Sequence, residues 1–396
     1  MALFAAPFRS EPAPRGVAQV LNPEAVLIVL LAATLALLMG GIALPRLVAA
    51  SPALWAHLVL AVGVMSLITA AMQHFAPVLA RGRIAGVWLA RLPWLMAATG
   101  LLVVSALAGW LPWSVVALAA LLGLGGALAM VSWMIGLSRR AVGAPHPGLC
   151  WYVAAMLCLA LGLGAALLIP LFPEAHAALR DFHLHINLYG FIGLTAVGTL
   201  QVLMPTAAGQ PDPEAGGRLK HGVRLAFFGS LLLAAGQAAE AFWLAALGTG
   251  LWGWVLGEML LAWLRLFRGR MLRWHGVEPA LGVAGLGFAA ALAATLLDSA
   301  GMLELSSPLT IFLPGFLMPL ISGAAGQLAP VWLKPGRREE WHDQSVAALG
   351  RWGGARALLF LSAALIPLFG YQCAGMPGLA ALFWFGILFV MWLARD

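Results

Sequence analysis

The sequence predicts an all-α polytopic membrane protein: twelve transmembrane helices as three pseudo-repeats of four, with the N-terminus and C-terminus cytoplasmic. Three observations predict it. The 396 residues are 62% hydrophobic and only 9% charged, a balance foreign to soluble domains. The apolar residues gather into twelve stretches of roughly membrane-spanning length. The cations fall almost entirely on alternate connections between those stretches.

In chain order, residues 1–23 read as a cytoplasmic tail, because three prolines break the stretch Phe4–Gln19 and give it no signal-peptide character. A single transmembrane domain is expected over 24–394, with spans at 24–44, 55–79, 92–111, 113–137, 149–171, 183–205, 221–247, 251–268, 279–300, 308–331, 355–371 and 376–394. The third and fourth spans are joined by the short hairpin Gly109–Ser114. With the N-terminus inside, 20 of the 22 Lys and Arg lie on the inner side, and only Arg46 and Arg180 lie outside. The net charge of +7 is then the positive-inside bias; it fits contact with anionic lipid and calls for no nucleic acid. The expected location is a bacterial inner (cytoplasmic) membrane. The three cysteines, Cys150, Cys158 and Cys373, have no CxxC or metal spacing and read as small apolar filler. Tryptophans such as Trp55, Trp110, Trp113, Trp243 and Trp252 read as interfacial belts.

The spans repeat with a four-helix period, approximately 24–137, 149–268 and 279–394. His57, Gln73 and Pro77 recur as His185, Gln201 and Pro205, each 128 residues on. Gly190, Gly198 and Pro205 recur as Gly315, Gly323 and Pro330, each 125 residues on, with Gln327 one position out of register. Because four is even, the second, sixth and tenth spans run in the same direction, a parallel rather than an inverted repeat.

The sixth span opens with Phe182-His183-Leu184-His185-Ile186-Asn187. Histidine is costly in a bilayer and rarely sits there without a partner. Two histidines at i and i+2 point about 200° apart on a helix, so one helix offers an imidazole to each of two neighbouring compartments. The repeat places His57 at the position equivalent to His185, and the two are expected to face each other near the outer surface. Two imidazoles on two rigid helices are what a six-coordinate b-type haem needs. Arg46, Arg180 and His176 are outer-side candidates to neutralise its propionates, and Asn187 and Tyr189 are candidate donors behind the ligands. Glu240, Glu258, Asp298 and Glu304 are expected in the outer half or outer ends of spans seven to ten, where Glu240 and Glu258 form a candidate proton or cation path. Gln73, Gln201 and Gln327 are expected to tie helices together. The charged segment Lys334–Arg356 reads as a solvated cytoplasmic loop.

The stretches Phe182–His185, Ile192–Leu200 and Leu203-Met204-Pro205 resemble the tenth helix of haem-copper oxidase subunit I, particularly the ba3-like branch. His57–Leu60, running on to Ala76–Arg81, resembles that subunit's second helix. The resemblance covers about two helices. It implies that His57 and His185 bind a low-spin haem b, that His183 is the proximal ligand of a second haem, and that twelve helices form three arcs of four. Three spans separate the ligand-bearing helices here, where the family has seven. No histidine set matches the family's copper ligands, so copper is not expected: His74, His146, His221, His275 and His342 fall at or beyond the inner face, and the third copy has Pro308, Thr310 and Ile311 at the ligand positions. The architecture is also similar to the NnrS family of haem proteins linked to nitric oxide.

The expected function is therefore an integral-membrane b-type haem protein that handles electrons or a small gas (nitric oxide or oxygen) at a haem near the outer face. If catalytic, it would be a haem-dependent oxidoreductase of the nitric oxide or oxygen reductase kind. Its partners would be the bilayer, a gas ligand, and an electron-donor protein or companion subunit. Two other readings stay open: a transporter or channel built on the parallel repeat, and a non-catalytic haem sensor or assembly subunit.

Overall fold

In a computed structural model, residues 23–46, 51–82, 85–304, 307–336, 338–369, 371 and 375–395 are described, without the Arg46 side chain. The tail 1–22, and Cys373 with it, lie outside the described residues. Among those described, all regular structure is helical. We number the main helices α1 (Pro23–Ala43), α2 (Pro52–Ala80), α3 (Val87–Leu107), α4 (Ser114–Arg139), α5 (Gly148–Leu168), α6 (Pro173–Ala208), α7 (Ala215–Ala238), α8 (Phe242–Leu266), α9 (Glu278–Ser299), α10 (Leu309–Leu333), α11 (Glu340–Leu349), α12 (Gly353–Phe369) and α13 (Gly375–Leu393).

Ten of these are long and apolar enough to cross a membrane, and α11 with α12 makes an eleventh if that pair, bent by 42°, is counted as one span. This is a polytopic membrane protein. The helix α7 is not among the ten, and its early turns carry Arg218, Lys220, His221 and Arg224. The sequence placed spans at 221–247 and 251–268, with a break at 248–250. The chain instead turns at Ala239–Ala241, where Glu240 takes a left-handed backbone conformation with φ 52°. Gly248 is no breaker: a Cβ there would run into the backbone of Leu233 and Gly229, so it marks the seam where α7 and α8 touch. Small residues of this kind let helices approach in lipid, where no hydrophobic effect drives them together.

The helices α2, α6 and α10 share one build. Each has an N-terminal helical segment, then a π-helical stretch (Leu58–Val64, Ile186–Ile192, Phe312–Leu317), then a 16-residue α-helix with an interior proline (Pro77, Pro205, Pro330). The π stretches begin immediately after His57, His185 and Ile311. Extended π geometry is rare and concentrates at functional sites. These three helices surround an apolar cavity of about 110 Å³. They line it in register: Val64 with Ile192 and Leu317, and Phe75 with Leu203 and Leu328, at the same spacings of 128 and 125 residues. Equivalent positions meet at equal depth, so the three run parallel.

The packing around them closes a ring. The helix α5 packs on α2, α9 on α6, and α1 on α10, so the first helix of each repeat lies against the second helix of the one before. The outer contacts follow suit: α4 on α5, α8 on α9, α13 on α1. Every π stretch is also flanked by the first and third helices of its own repeat. Glycine makes the closest of these contacts possible. A Cβ on Gly100 of α3 would meet the backbone of Ala61 and Val62, and one on Gly287 of α9 would run into the carbonyl of Gly315.

Trp252 departs from the expected interfacial belt. It is fully buried, and its indole N–H donates to Ser230 Oγ at 3.0 Å. Trp110, Trp113 and Trp243 are exposed. Gln73 ties helices as expected, donating to Leu89 O at 2.5 Å, whereas Oε1 of the buried Gln201 has no hydrogen-bond partner.

Backbone contact leaves no side chain to yield, so Gly287→Ala should lower stability by about 1–3 kcal/mol. Gly250, with nothing near its Cβ position, is the control, and Gly250→Ala should be close to neutral. Thermal unfolding of both variants in one detergent checks this.

Candidate functional site

The histidines lie between about one and a half and two and a half turns inside their helices. The α-helical start of α6 is at His176, seven residues before His183, which is about 10 Å of rise. His57 closes the short helical segment Pro52–His57 of α2. Both spans then pass into their π stretches.

The imidazole opposite His57 belongs to His183. Their ring centroids are 6.1 Å apart and their planes differ by 15°. His185 turns away and lies parallel to the Tyr189 ring, at 6.2 Å and 19°. This corrects the expected pairing of His57 with His185. The physical reason is the ring. Residues related by a cyclic repeat are rotated from one another, so His57 and His185 each look into the next compartment rather than at each other. His57 looks into the space between the first and second repeats, where His183 stands. His185 looks toward the third repeat, where Pro308 holds the place equivalent to His183. The opposite directions of the i, i+2 pair follow the helical geometry.

All three imidazoles are held in the same way. Nδ1 lies 2.8 Å from a backbone carbonyl in each: Ala53 for His57, Gly162 for His183, Asp181 for His185. A carbonyl only accepts, so each Nδ1 carries the proton and donates. In the neutral ring Nε2 is then the bare lone pair, the tautomer that suits a metal ligand anchored through its other nitrogen.

Asn187 supports the pair from below. Its Nδ2 donates to His183 O at 2.7 Å, and its Oδ1 is buried without a hydrogen-bond partner. Gly162 of α5 serves both groups. It gives its carbonyl to His183, and its missing side chain leaves room for Asn187: a Cβ there would sit 2.5 Å from Asn187 Nδ2. Gly162 sits in the run Leu161–Leu168, which carries no sequence signal for this role.

The compartment on the other side of α6 is filled differently. The Tyr189 hydroxyl bonds to Thr295 Oγ1 at 2.6 Å and donates to Ala291 O at 3.1 Å, so it braces α9 rather than the His57–His183 pair. Phe288, Phe312 and Phe316, all fully buried, pack beside it. Asp181 and Asp298 are close enough to His185 to act on it electrostatically.

The remaining candidates are dispersed. Arg180 is exposed and paired with Asp181 at 3.1 Å, and His176 is exposed. Nothing is described of the Arg46 side chain. Glu240, expected deep in a span, is exposed in the α7–α8 turn because that turn falls earlier than expected. Glu258, expected in an outer half, lies nearer the C-terminal end of α8 and bonds His221 Nε2 at 2.9 Å, toward the end of the bundle opposite the histidine pair. The two glutamates therefore do not form one path. Among the described residues, no group of three or more His, Cys, Asp or Glu could hold a metal ion.

Gly162→Ala should displace Asn187 and lengthen the His183 anchor, while Gly164→Ala, with open space at its Cβ, should not. The nitrogen-15 shift of the His183 ring checks this, by loss of the Nδ1–H signature in the first variant only.

The chain matches no family model and no curated protein.

Proposed function

We propose that the protein is an integral-membrane haem b protein in which His57 and His183 would hold the haem iron. The observation that carries this reading is the geometry of that pair. Two imidazoles sharing one metal through Nε2, at about 2.0–2.1 Å per bond, place their ring centroids about 6 Å apart. The separation here is 6.1 Å with nearly parallel planes. Both rings are locked by Nδ1–H bonds to main-chain carbonyls, which leaves Nε2 free. Two imidazoles suffice where a porphyrin supplies the four equatorial nitrogens, and they leave a bare ion short of ligands.

When bound, the haem would supply one-electron redox chemistry. The chain's own part is to fix two ring orientations and to hold the site dry among apolar helices. His185, which lies outside the pair and against Tyr189, would hold a second haem. This reverses the roles that the resemblance gave to His183 and His185. The axial cavity, apolar and about 110 Å³, suits a small uncharged molecule such as nitric oxide or oxygen. No copper is part of this reading. Arg180 is a candidate for the propionates, with Arg46 as a second by sequence.

We further infer twelve spans, with α7 among them and α11–α12 counted as one, in a bacterial inner membrane with both ends cytoplasmic. The 20 to 2 distribution of cations supports this orientation. An electron-donor protein or companion subunit would dock from outside.

Reduced-minus-oxidised spectra of the purified protein test the haem assignment. A low-spin b-type signal is expected in the wild type. His57→Ala and His183→Ala should each lose it, and His185→Ala should keep it while altering carbon monoxide binding. Absence of haem in the wild type would sink the reading; loss of the low-spin signal in His185→Ala instead of His183→Ala would restore the other pairing. For orientation, in a chain freed of native cysteines, Trp110→Cys should react with an impermeant maleimide in intact cells. Arg140→Cys should react only after permeabilisation.

A further inference from the structure

On the outer face of the bundle, α4, α5 and α7 enclose a groove of about 450 Å³. Its mouth, at the end opposite the histidine pair, carries Arg139, Arg224 and Ser138. Both arginines are exposed, and neither is ion-paired with a described residue. They contrast with Arg218, one and a half turns earlier on α7, which is paired with Asp212 and Glu214. Below the mouth the groove is apolar. Val153 and Leu157 of α5 form its floor, and Ile135 and Phe228 form its sides.

The apolar track continues beyond the groove. Leu157, Leu161 and Leu168 are exposed along α5, and Leu121, Leu128 and Ile135 along one face of α4. From Val153 to Leu168 the helix rises about 22 Å, more than half of the roughly 30 Å hydrocarbon core. That is room for one acyl chain running from an interface toward the midplane. Guanidinium groups bind phosphate oxygens in paired, planar contacts, and basic pockets between spans on the cytoplasmic side suit anionic headgroups.

We propose that this groove is a specific site for one anionic phospholipid, its phosphate held between Arg139 and Arg224 and one acyl chain laid along α5. The proposal is independent of the haem reading. Charge complementarity sets the occupant: a zwitterionic lipid would bring a cation to two uncompensated arginines.

Native mass spectrometry of the full-length protein, delipidated and titrated with phosphatidylglycerol or phosphatidylcholine, tests it. One phosphatidylglycerol should be retained at a concentration at least ten-fold below that needed for phosphatidylcholine. The double variant Arg139→Gln/Arg224→Gln should lose that preference. Arg265→Gln/Arg268→Gln, with the same charge change on exposed residues of the same end, should keep it. Val153→Trp, which fills the groove and leaves both arginines, should weaken binding as much as the double variant. Equal retention of the two lipids by the wild type would overturn the proposal. So would equal losses in the two double variants, which would indicate general surface charge, or full retention by Val153→Trp.

Discussion

The clamp on three parallel spans, α2, α6 and α10, is the constraint on which the rest depends. Each is held by the first and third helices of its own repeat and by the first helix of the next. In lipid this arrangement gains little from apolar burial and rests on close packing. The closeness comes from glycines that put backbone against backbone, Gly100 on Ala61 and Val62, and Gly287 on Gly315. Those contacts fall on the π stretches, where the regular hydrogen-bond ladder is already disturbed. A clamp at that point fixes the residues on either side.

The histidines inherit their geometry from the clamp. Two of the π stretches begin directly after His57 and His185, and their flanking helices set the direction in which those rings leave the backbone. Main-chain carbonyls then fix the tautomer. The carbonyls of Ala53, Gly162 and Asp181 accept from Nδ1, so the same nitrogen of every ring is left for a ligand. The three compartments of the ring are unequal because the third copy has Thr310 and Ile311 where the others have histidine. One compartment holds two imidazoles, the next holds His185 beside Tyr189, and the axial space is apolar.

Much of this was legible in the chain. The matched prolines Pro77, Pro205 and Pro330, and the matched glycines Gly190 and Gly315, mark equivalent places because the interior proline and the close approach recur. Gly190 accommodates Cys158, and Gly315 accommodates Ala364. Other features left no local mark. The α7–α8 turn contains neither glycine nor proline, while the glycines nearby, Gly248 and Gly250, lie within a helix. Trp252 has the composition of a belt residue, yet its N–H finds Ser230 in the interior. Gly162 is one small residue in an apolar run, and its role arises only from what α6 places opposite.

By itself the sequence determined the membrane class, the repeat and the places of the three histidines within it, since each depends on composition and spacing along one chain. It also determined that His183 and His185 serve different compartments, because residues two apart on a helix diverge. Only the tertiary structure decided which of the two meets His57. That depends on which neighbour each helix has around the ring, and ring order is set by contacts between segments more than a hundred residues apart. The His-x-His spacing carries no information about it.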